Sequence, residues 1–338
     1  MKNPSKGLFD AVTYNRVKAS VGILALCGLA AVPRVAKADS TTKAIEFIAS
    51  ESTTPYFLRE YDGIKQEAAK YGYTTSYEAP LDASDVRGEI GMVDTAVTRG
   101  AAGIILVPSN PSALIPPTDK AMAQHVPVVL TDSTLSPMKG LTFISVADDK
   151  AAGAVAAWAA NLVHGKGQYA IIDYNLTTTS GRMRRDGFIA GMAGFPGMTD
   201  AGLQLSNNVP QTAMQETTTM LERNPNINVV FGANDRSALG VAEAVQRLHI
   251  ENKVVVVGFD ADLGEVNLIK SGVIKASVLQ SPVTMGKTAV DVRHDSFENP
   301  SKTFPSFVPL PFTIVTYKNF GTPASISAIN QYIGDYRG

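Results

Sequence analysis

Two side chains late in the chain are placed to hydrogen-bond a small polar guest. The apolar run Val229-Val230-Phe231 passes through Gly232-Ala233 to Asn234 and Asp235, and Val254-Val255-Val256-Val257 passes through Gly258-Phe259 to Asp260. Each run is a short β-type segment that stops at small residues and then presents a polar group. Residues 238–248 between them carry helical spacing, so the three form a strand–helix–strand unit that crosses over right-handed into a parallel sheet. In open α/β sheets, ligands bind beyond the carboxyl ends of the strands. Asn234 and Asp260 therefore fall on one rim. An amide both donates and accepts and a carboxylate accepts strongly, which suits a hydroxylated solute. Asn234 also precedes a helix and is an N-cap candidate; Asp235, one residue on, is the better cap on this reading.

Other chemistries lack their residues. No G-x-G-x-x-G occurs, and Met285-Gly286-Lys287-Thr288 only resembles the end of a phosphate loop, because Ser281 stands where that loop needs its first glycine. There is no G-x-S-x-G and no H-E-x-x-H. His125, His164, His249 and His294 are scattered without metal-ligand spacing and read as surface or helix-end residues. No nucleophile or base is nominated, so the expectation is a protein that is not an enzyme and has no metal and no cofactor.

The remaining chain must position these groups. With 338 residues, 45% of them hydrophobic, it can bury two cores of ordinary size. Strands are predicted over 43–49, 74–78, 103–107, 126–131 and 141–146, with helices over 55–71, 85–99 and 112–124 between them. After a break near residue 147 the pattern starts again: helix 151–163, strand 168–173, helix 184–193, strand 203–207, helix 211–223, the strand–helix–strand unit, and a strand over 273–279. Two such blocks predict an α/β fold of two doubly wound, Rossmann-like parallel-sheet lobes with a cleft between them. Residues 317–338 have weak periodicity and read as a tail packed on the surface. Only 18% of residues are charged and the net charge is −1, with no basic stripe, so nucleic acid is not an expected partner.

The N-terminus reads as an export signal. Lys2, Lys6, Arg16 and Lys18 form a basic head, residues 21–32 an apolar core too short to span a bilayer, and Ala36-Lys37-Ala38 a cleavage site after Ala38. Cys27 is the only cysteine; Leu26 directly before it makes a poor lipoprotein box. The cleaved chain would carry 24 Lys and Arg against 30 Asp and Glu, no cysteine and no disulfide, and would reside in the periplasm as a soluble monomer.

These segments, taken in order, resemble a type I periplasmic solute-binding protein of ABC transporters, close to the ribose-binding branch. The resemblance runs over about 43–315 and rests on Ile48-Ala49-Ser50 with Pro55-Tyr56-Phe57, Val126-Pro127-Val128 with Asp132, Arg184 with Gly187-Phe188, Asn234-Asp235 with Ala238-Leu239-Gly240, Val257-Gly258-Phe259-Asp260, and Gln280. It implies two lobes joined by a three-stranded hinge, with crossings near Ala147, Gln280 and Pro311. One lobe would hold 43–147 plus 281–311 and the other 148–280 plus 312–330, leaving 331–338 as a C-terminal tail. It also implies closure on a monosaccharide or polyol and docking on an inner-membrane permease driven by a separate ATPase. A chemotaxis receptor is a further partner it allows. Sugar-responsive repressors share the core, so a ligand-sensing protein and a periplasmic enzyme are the rival readings; the export segment occupies the place where a repressor has its DNA-binding head.

By the same resemblance Tyr56, Phe57 and Phe259 sandwich the C–H-rich faces of a ring, or else are plain core aromatics. Asp132 and Asp260 accept from adjacent hydroxyls, and Arg184 offers a planar fork of donors. A surface or inter-lobe salt bridge is the other reading of Asp260 and Arg184. Asn234 and Gln280 donate and accept, and Ser50 is either a contact or a turn serine. Thr54, Ser133 and Asn208 are secondary contact candidates at positions that depart from the ribose pattern, as does Val107: Ser133 replaces an arginine, Thr54 and Val107 asparagines, and Asn208 an aromatic residue. Fewer donors point away from ribose and toward another monosaccharide or a linear polyol.

Overall fold

The computed structural model describes residues 44–336. The expected export segment 1–38, with Cys27 and the expected cleavage after Ala38, lies outside the described residues. The first half of the described chain runs β1 (Ala44–Ile48), α1 (Pro55–Lys70), β2 (Thr74–Glu78), α2 (Val86–Thr98), β3 (Gly103–Leu106), α3 (Ile115–Ala123), β4 (Val128–Thr131), β5 (Phe143–Val146), α4 (Asp148–Leu162), β6 (Lys166–Asp173) and α5 (Thr179–Met192). It continues through β7 (Gly197–Leu205), α6 (Pro210–Arg223), β8 (Ile227–Gly232), α7 (Asp235–Arg247), β9 (Val255–Phe259), α8 (Leu263–Ser271), β10 (Ile274–Leu279), α9 (Pro282–Glu298), β11 (Phe307–Leu310), β12 (Thr313–Thr316) and α10 (Pro323–Ile333).

The strands form two six-stranded sheets, ordered β11-β5-β4-β3-β1-β2 and β12-β10-β9-β8-β6-β7. Every pairing is parallel except β12 against β10. Both sheets therefore carry one order, 2-1-3-4-5-6 within each lobe, and each has its switch point between its first and third strands. Loops beyond the carboxyl ends of the strands meet there, which is where open sheets bind ligands. The chain passes from the first sheet to the second after Val146, returns after Leu279 and crosses once more between Leu310 and Thr313. The central strands are apolar throughout, as a sheet covered on both faces requires: β3 is Gly-Ile-Ile-Leu and β9 Val-Val-Val-Gly-Phe, all buried.

Helix α3 begins three residues later than its sequence pattern, at Ile115, because Pro116 and Pro117 fit only a first helical turn. Helices α8 and α9 were not anticipated. Met285-Gly286-Lys287-Thr288 lies inside α9, where Gly286 serves packing: a Cβ there would stand 2.2 Å from the Glu60 carbonyl on α1, and one on Gly63 of α1 would stand 2.1 Å from the Val283 carbonyl. Three of the histidines close helices: His125, His164 and His249 follow α3, α4 and α7 in the left-handed conformation, with φ of 62°, 56° and 56°.

The stretch read as a surface tail contains α10. Its Tyr332 is buried, and the helix packs on α1 and α9 of the first lobe and on β12 of the second. Its N-cap, Thr322, accepts from the Ser325 amide, Pro323 occupies the first turn, and Ser325, Ala328, Ile329 and Tyr332 form one buried stripe at helical spacing, which the reading as a surface tail overlooked.

Candidate functional site

A cavity of about 680 Å³ lies between the two sheets, walled by loops that follow β1, β2, β3 and β4 on one side and β6, β7, β8 and β9 on the other. Of the residues nominated from sequence, Ser50, Tyr56, Phe57, Asp132, Arg184, Asn234 and Asp260 line it, as do Thr54, Ser133 and Asn208. Phe259 and Gln280 do not. Phe259 is fully buried in the second lobe with the Arg184 guanidinium 3.9 Å above its ring, so it supports the cation rather than a solute. Gln280 is fully buried at a crossing and donates from Nε2 to Asp260 Oδ1 at 2.8 Å.

Arg184 is the centre of the polar wall. It projects from α5, and Gly187, one turn on, lets α5 approach the start of α4; a Cβ there would stand 2.2 Å from the Asp149 carbonyl. That approach brings Arg184 Nε to 2.8 Å from Asp148 Oδ1, while Nη1 donates to Asp260 Oδ2 at 2.9 Å and to the Ala233 carbonyl at 3.2 Å. Nη2 faces Asp132 Oδ1 at 3.7 Å, beyond hydrogen-bond reach. Arg184 and Asp260 thus form a salt bridge, buried within the second lobe rather than on the surface or between the lobes, and both also line the cavity.

Burial works against the guanidinium's charge, but Asp260, Tyr174, Asp148 and Asp132 outweigh it and hold Arg184 above its ordinary range. Burial pushes Asp132 up to about 6 and Asp148 up to about 7, with Arg184 pulling each back. The cluster is thus short of positive charge, with three carboxylates around one guanidinium.

Asp132 and Asp260 both follow strands directly and both take the left-handed conformation, with φ of 57° and 70°. Asn207 and Asn208 after β7 do the same at 51° and 59°. Asp and Asn tolerate this region best among residues with a Cβ. These four are the non-glycine residues of positive φ, among those described, that are not helix-closing histidines, and all four line the cavity. Strained backbone concentrates at binding sites because the fold must hold it there.

Asn234, not Asp235, caps α7: its Oδ1 accepts from the Ser237 amide at 3.0 Å. Its Nδ2 remains and donates to Asn208 Oδ1 at 2.7 Å, and Asn208 Nδ2 donates across the cleft to Glu51 Oε1 at 2.7 Å. Further bonds cross between the lobes: Ser133 Oγ with Ser180 Oγ at 2.8 Å, the Thr134 amide to Thr179 Oγ1 at 2.8 Å, and Arg236 to the Thr53 carbonyl. The jaws therefore touch on more than one side of the cavity.

Sequence reasoning missed several wall residues. Glu51 and Tyr174 follow the first strand of each lobe, β1 and β6, beside the switch point, and that position alone could have nominated them. Tyr174 is half-buried, its hydroxyl 2.8 Å from Ser180 Oγ and its ring 5.9 Å from the Arg184 guanidinium carbon. Phe57 and Tyr56 meet edge to face, with centroids 5.5 Å apart, and both line the cavity on the first lobe. Among the described residues no group of His, Cys, Asp and Glu has the arrangement to hold a metal ion.

Comparison with known proteins agrees with this geometry. A periplasmic binding protein domain matches residues 45–296. The D-apiose import binding protein of Actinobacillus succinogenes is 31% identical over 249 residues, covering 73% of this chain and 79% of its own. The D-allose-binding periplasmic protein of Escherichia coli is 26% identical over 263 residues, covering 75% and 84%. Among solved structures, an ABC transporter solute-binding protein from Agrobacterium vitis with bound D-fucose aligns with a TM-score of 0.79 at 26% identity, over 83% of this chain and 98% of that one. The chain belongs to the periplasmic binding protein family, a family of solute-binding proteins rather than enzymes.

Proposed function

We propose that this protein is the exported solute-binding component of an ABC importer and closes its two lobes on a neutral monosaccharide or polyol. The observation that carries the reading is the gap between Arg184 Nη2 of the second lobe and Asp132 Oδ1 of the first, 3.7 Å wide and facing the cavity. A hydroxyl standing about 2.8 Å from each would accept from one and donate to the other. It would thereby tie the jaws together, and only a solute that interacts differently with open and closed states can shift their balance. Tyr56, Phe57 and Tyr174 supply apolar faces and edges for the C–H side of a ring. The sugars named for relatives, D-apiose, D-allose and D-fucose, support a solute of this class.

In this reading 43–147 plus 281–311 and 148–280 plus 312–330 move as the jaws about Ala147, Gln280 and Pro311. The signal is removed after Ala38, and the closed monomer docks on an inner-membrane permease with a separate ATPase and on a chemotaxis receptor where one is present. Isothermal calorimetry against pentoses, hexoses and linear polyols tests the reading. Saturable 1:1 binding of at least one, at a Kd on the order of 1 μM or about −8 kcal/mol, is expected. Failure of every carbohydrate to bind overturns it.

A further inference from the structure

Asp260 is held by a residue that no sequence pattern marks. The Tyr332 hydroxyl donates to Asp260 Oδ1 at 2.8 Å and accepts from the Gln280 backbone amide at 2.8 Å. With Gln280 Nε2 on the same oxygen at 2.8 Å and Arg184 Nη1 on Oδ2 at 2.9 Å, the carboxylate has three charge-assisted partners. A carboxylate has about four lone-pair sites, so little of Asp260 is left for a solute. Asp260 then acts chiefly by fixing Arg184, and Nη2 is left to face Asp132.

The helix that carries Tyr332 is fastened at both ends. Its start is tied to the second lobe: Asn319 accepts from the Thr316 amide at 2.7 Å, donates to the Ile314 carbonyl at 3.0 Å, and its Oδ1 accepts from Ser325 Oγ at 3.3 Å. Its end is tied to the first lobe: Arg59 of α1 donates to the Gln331 carbonyl at 3.1 Å and the Asn330 carbonyl at 3.3 Å, and the Thr284 amide of α9 donates to the Gln331 side chain at 3.3 Å. The Tyr332 ring lies 6.0 Å from that of Tyr56, which lines the cavity. The helix is thus a strap across the crossing at Gln280, and one side chain on it reaches the polar wall from behind.

We infer that Tyr332 is a positioning residue for solute binding: its hydroxyl, carried on a strap fastened to both lobes, holds Asp260 and through it aims Arg184 at the solute. This rests on the reading of the cavity as the solute site. The test is Tyr332→Phe in the full exported chain, which keeps the ring and removes the hydroxyl. Kd for a sugar bound by the wild type, and the rise in Tm which that sugar produces, are measured for both proteins. Affinity should fall by roughly threefold to tenfold, because the hydroxyl is bonded to Asp260 before the solute arrives and acts on the solute only through Arg184, and the sugar-dependent rise in Tm should shrink.

A merely structural tyrosine would lower Tm with and without sugar alike and leave Kd unchanged, and that result overturns the inference alone. A wild type that binds no sugar overturns both it and the proposed function. Arg59→Met, which removes two of the three hydrogen bonds that tie the strap's end to the first lobe without touching the cavity wall, should weaken binding in the same direction by a smaller factor. It decides the matter if Tyr332→Phe does not fold, and unchanged affinity there overturns the inference.

Discussion

Replacing Arg184 with methionine should give a stability loss that depends steeply on pH. The side chain is 2% exposed and its guanidinium pairs with Asp148 at 2.8 Å and Asp260 at 2.9 Å, with Asp132 at 3.7 Å. Methionine keeps much of the apolar stem and removes the only cation among these buried carboxylates. Breaking a buried pair by deleting one partner typically costs about 3–5 kcal/mol, because the other charge is left uncompensated. The carboxylates can escape by taking protons. Protonating an aspartate of ordinary pKa costs about 5.5 kcal/mol at pH 8 but only about 1.5 kcal/mol at pH 5. Asp148 already stands at about 7 with the cation beside it. We therefore expect Arg184→Met to lose about 4 kcal/mol at pH 8 and about half of that at pH 5. Urea denaturation at the two pH values, with the slope checked for two-state behaviour, measures this. Adding Asp148→Asn should restore part of the loss at pH 8 and little at pH 5. An equal loss at both pH values, or none at pH 8, would refute the ion-cluster account. It also follows that Arg184→Ala is a poor binding probe, since it perturbs the second lobe itself.

Three further outcomes are expected. Burial raises Glu60 to about 8, Glu89, Asp148 and Asp235 to about 7, and Asp132 to about 6. Their folded values exceed the unfolded ones of about 4, so the folded state holds extra protons between roughly pH 4 and 8, and stability must fall as pH rises through that window. The Tm of the solute-free protein should therefore be higher at pH 5 than at pH 8, and the reverse order would contradict these assignments. Asp132→Gly relieves a left-handed residue at φ 57° and should leave stability unchanged or raise it by up to about 1 kcal/mol, while sugar affinity drops at least about tenfold; retained affinity in calorimetry would remove Asp132 from the site. Gly286→Ala forces a Cβ to within 2.2 Å of the Glu60 carbonyl and should cost about 1–3 kcal/mol in urea denaturation, with an unchanged midpoint counting against the close α1–α9 contact.

The parts of the site that could be read from the residues alone are those fixed by local rules; the rest of the nominated residues came from the family resemblance. Apolar strands ending at Asn234 and Asp260 announce a rim, because the carboxyl end of a parallel strand is where polar groups collect, whereas Asp132 and Arg184 were reached only through the family resemblance. The repeated βα pattern announces two sheets. What the pattern hides is depth. Phe259 is only one residue from Asp260, yet strand alternation turns it away from the rim and beneath Arg184. Asn234 shows that cap and cavity residue are compatible roles, since its Oδ1 caps α7 while its Nδ2 bonds to Asn208. Tyr332 was missed for another reason: it meets Asp260 across 72 positions of chain, and although Ser325, Ala328, Ile329 and Tyr332 form an inward stripe on α10, such a stripe does not say which groups it meets. Contacts of that span are decided by tertiary packing, which local spacing does not encode.

The central claim is that one solute is held between Asp132 of the first lobe and Arg184 of the second. A crystal structure with a sugar that calorimetry has shown to bind tests it most directly. The account predicts a single molecule in the cavity between the sheets, with one of its hydroxyls within hydrogen-bond distance of both Asp132 and Arg184 Nη2. A sugar bound elsewhere, or held by one lobe alone with Asp132 and Arg184 left to each other, would contradict it.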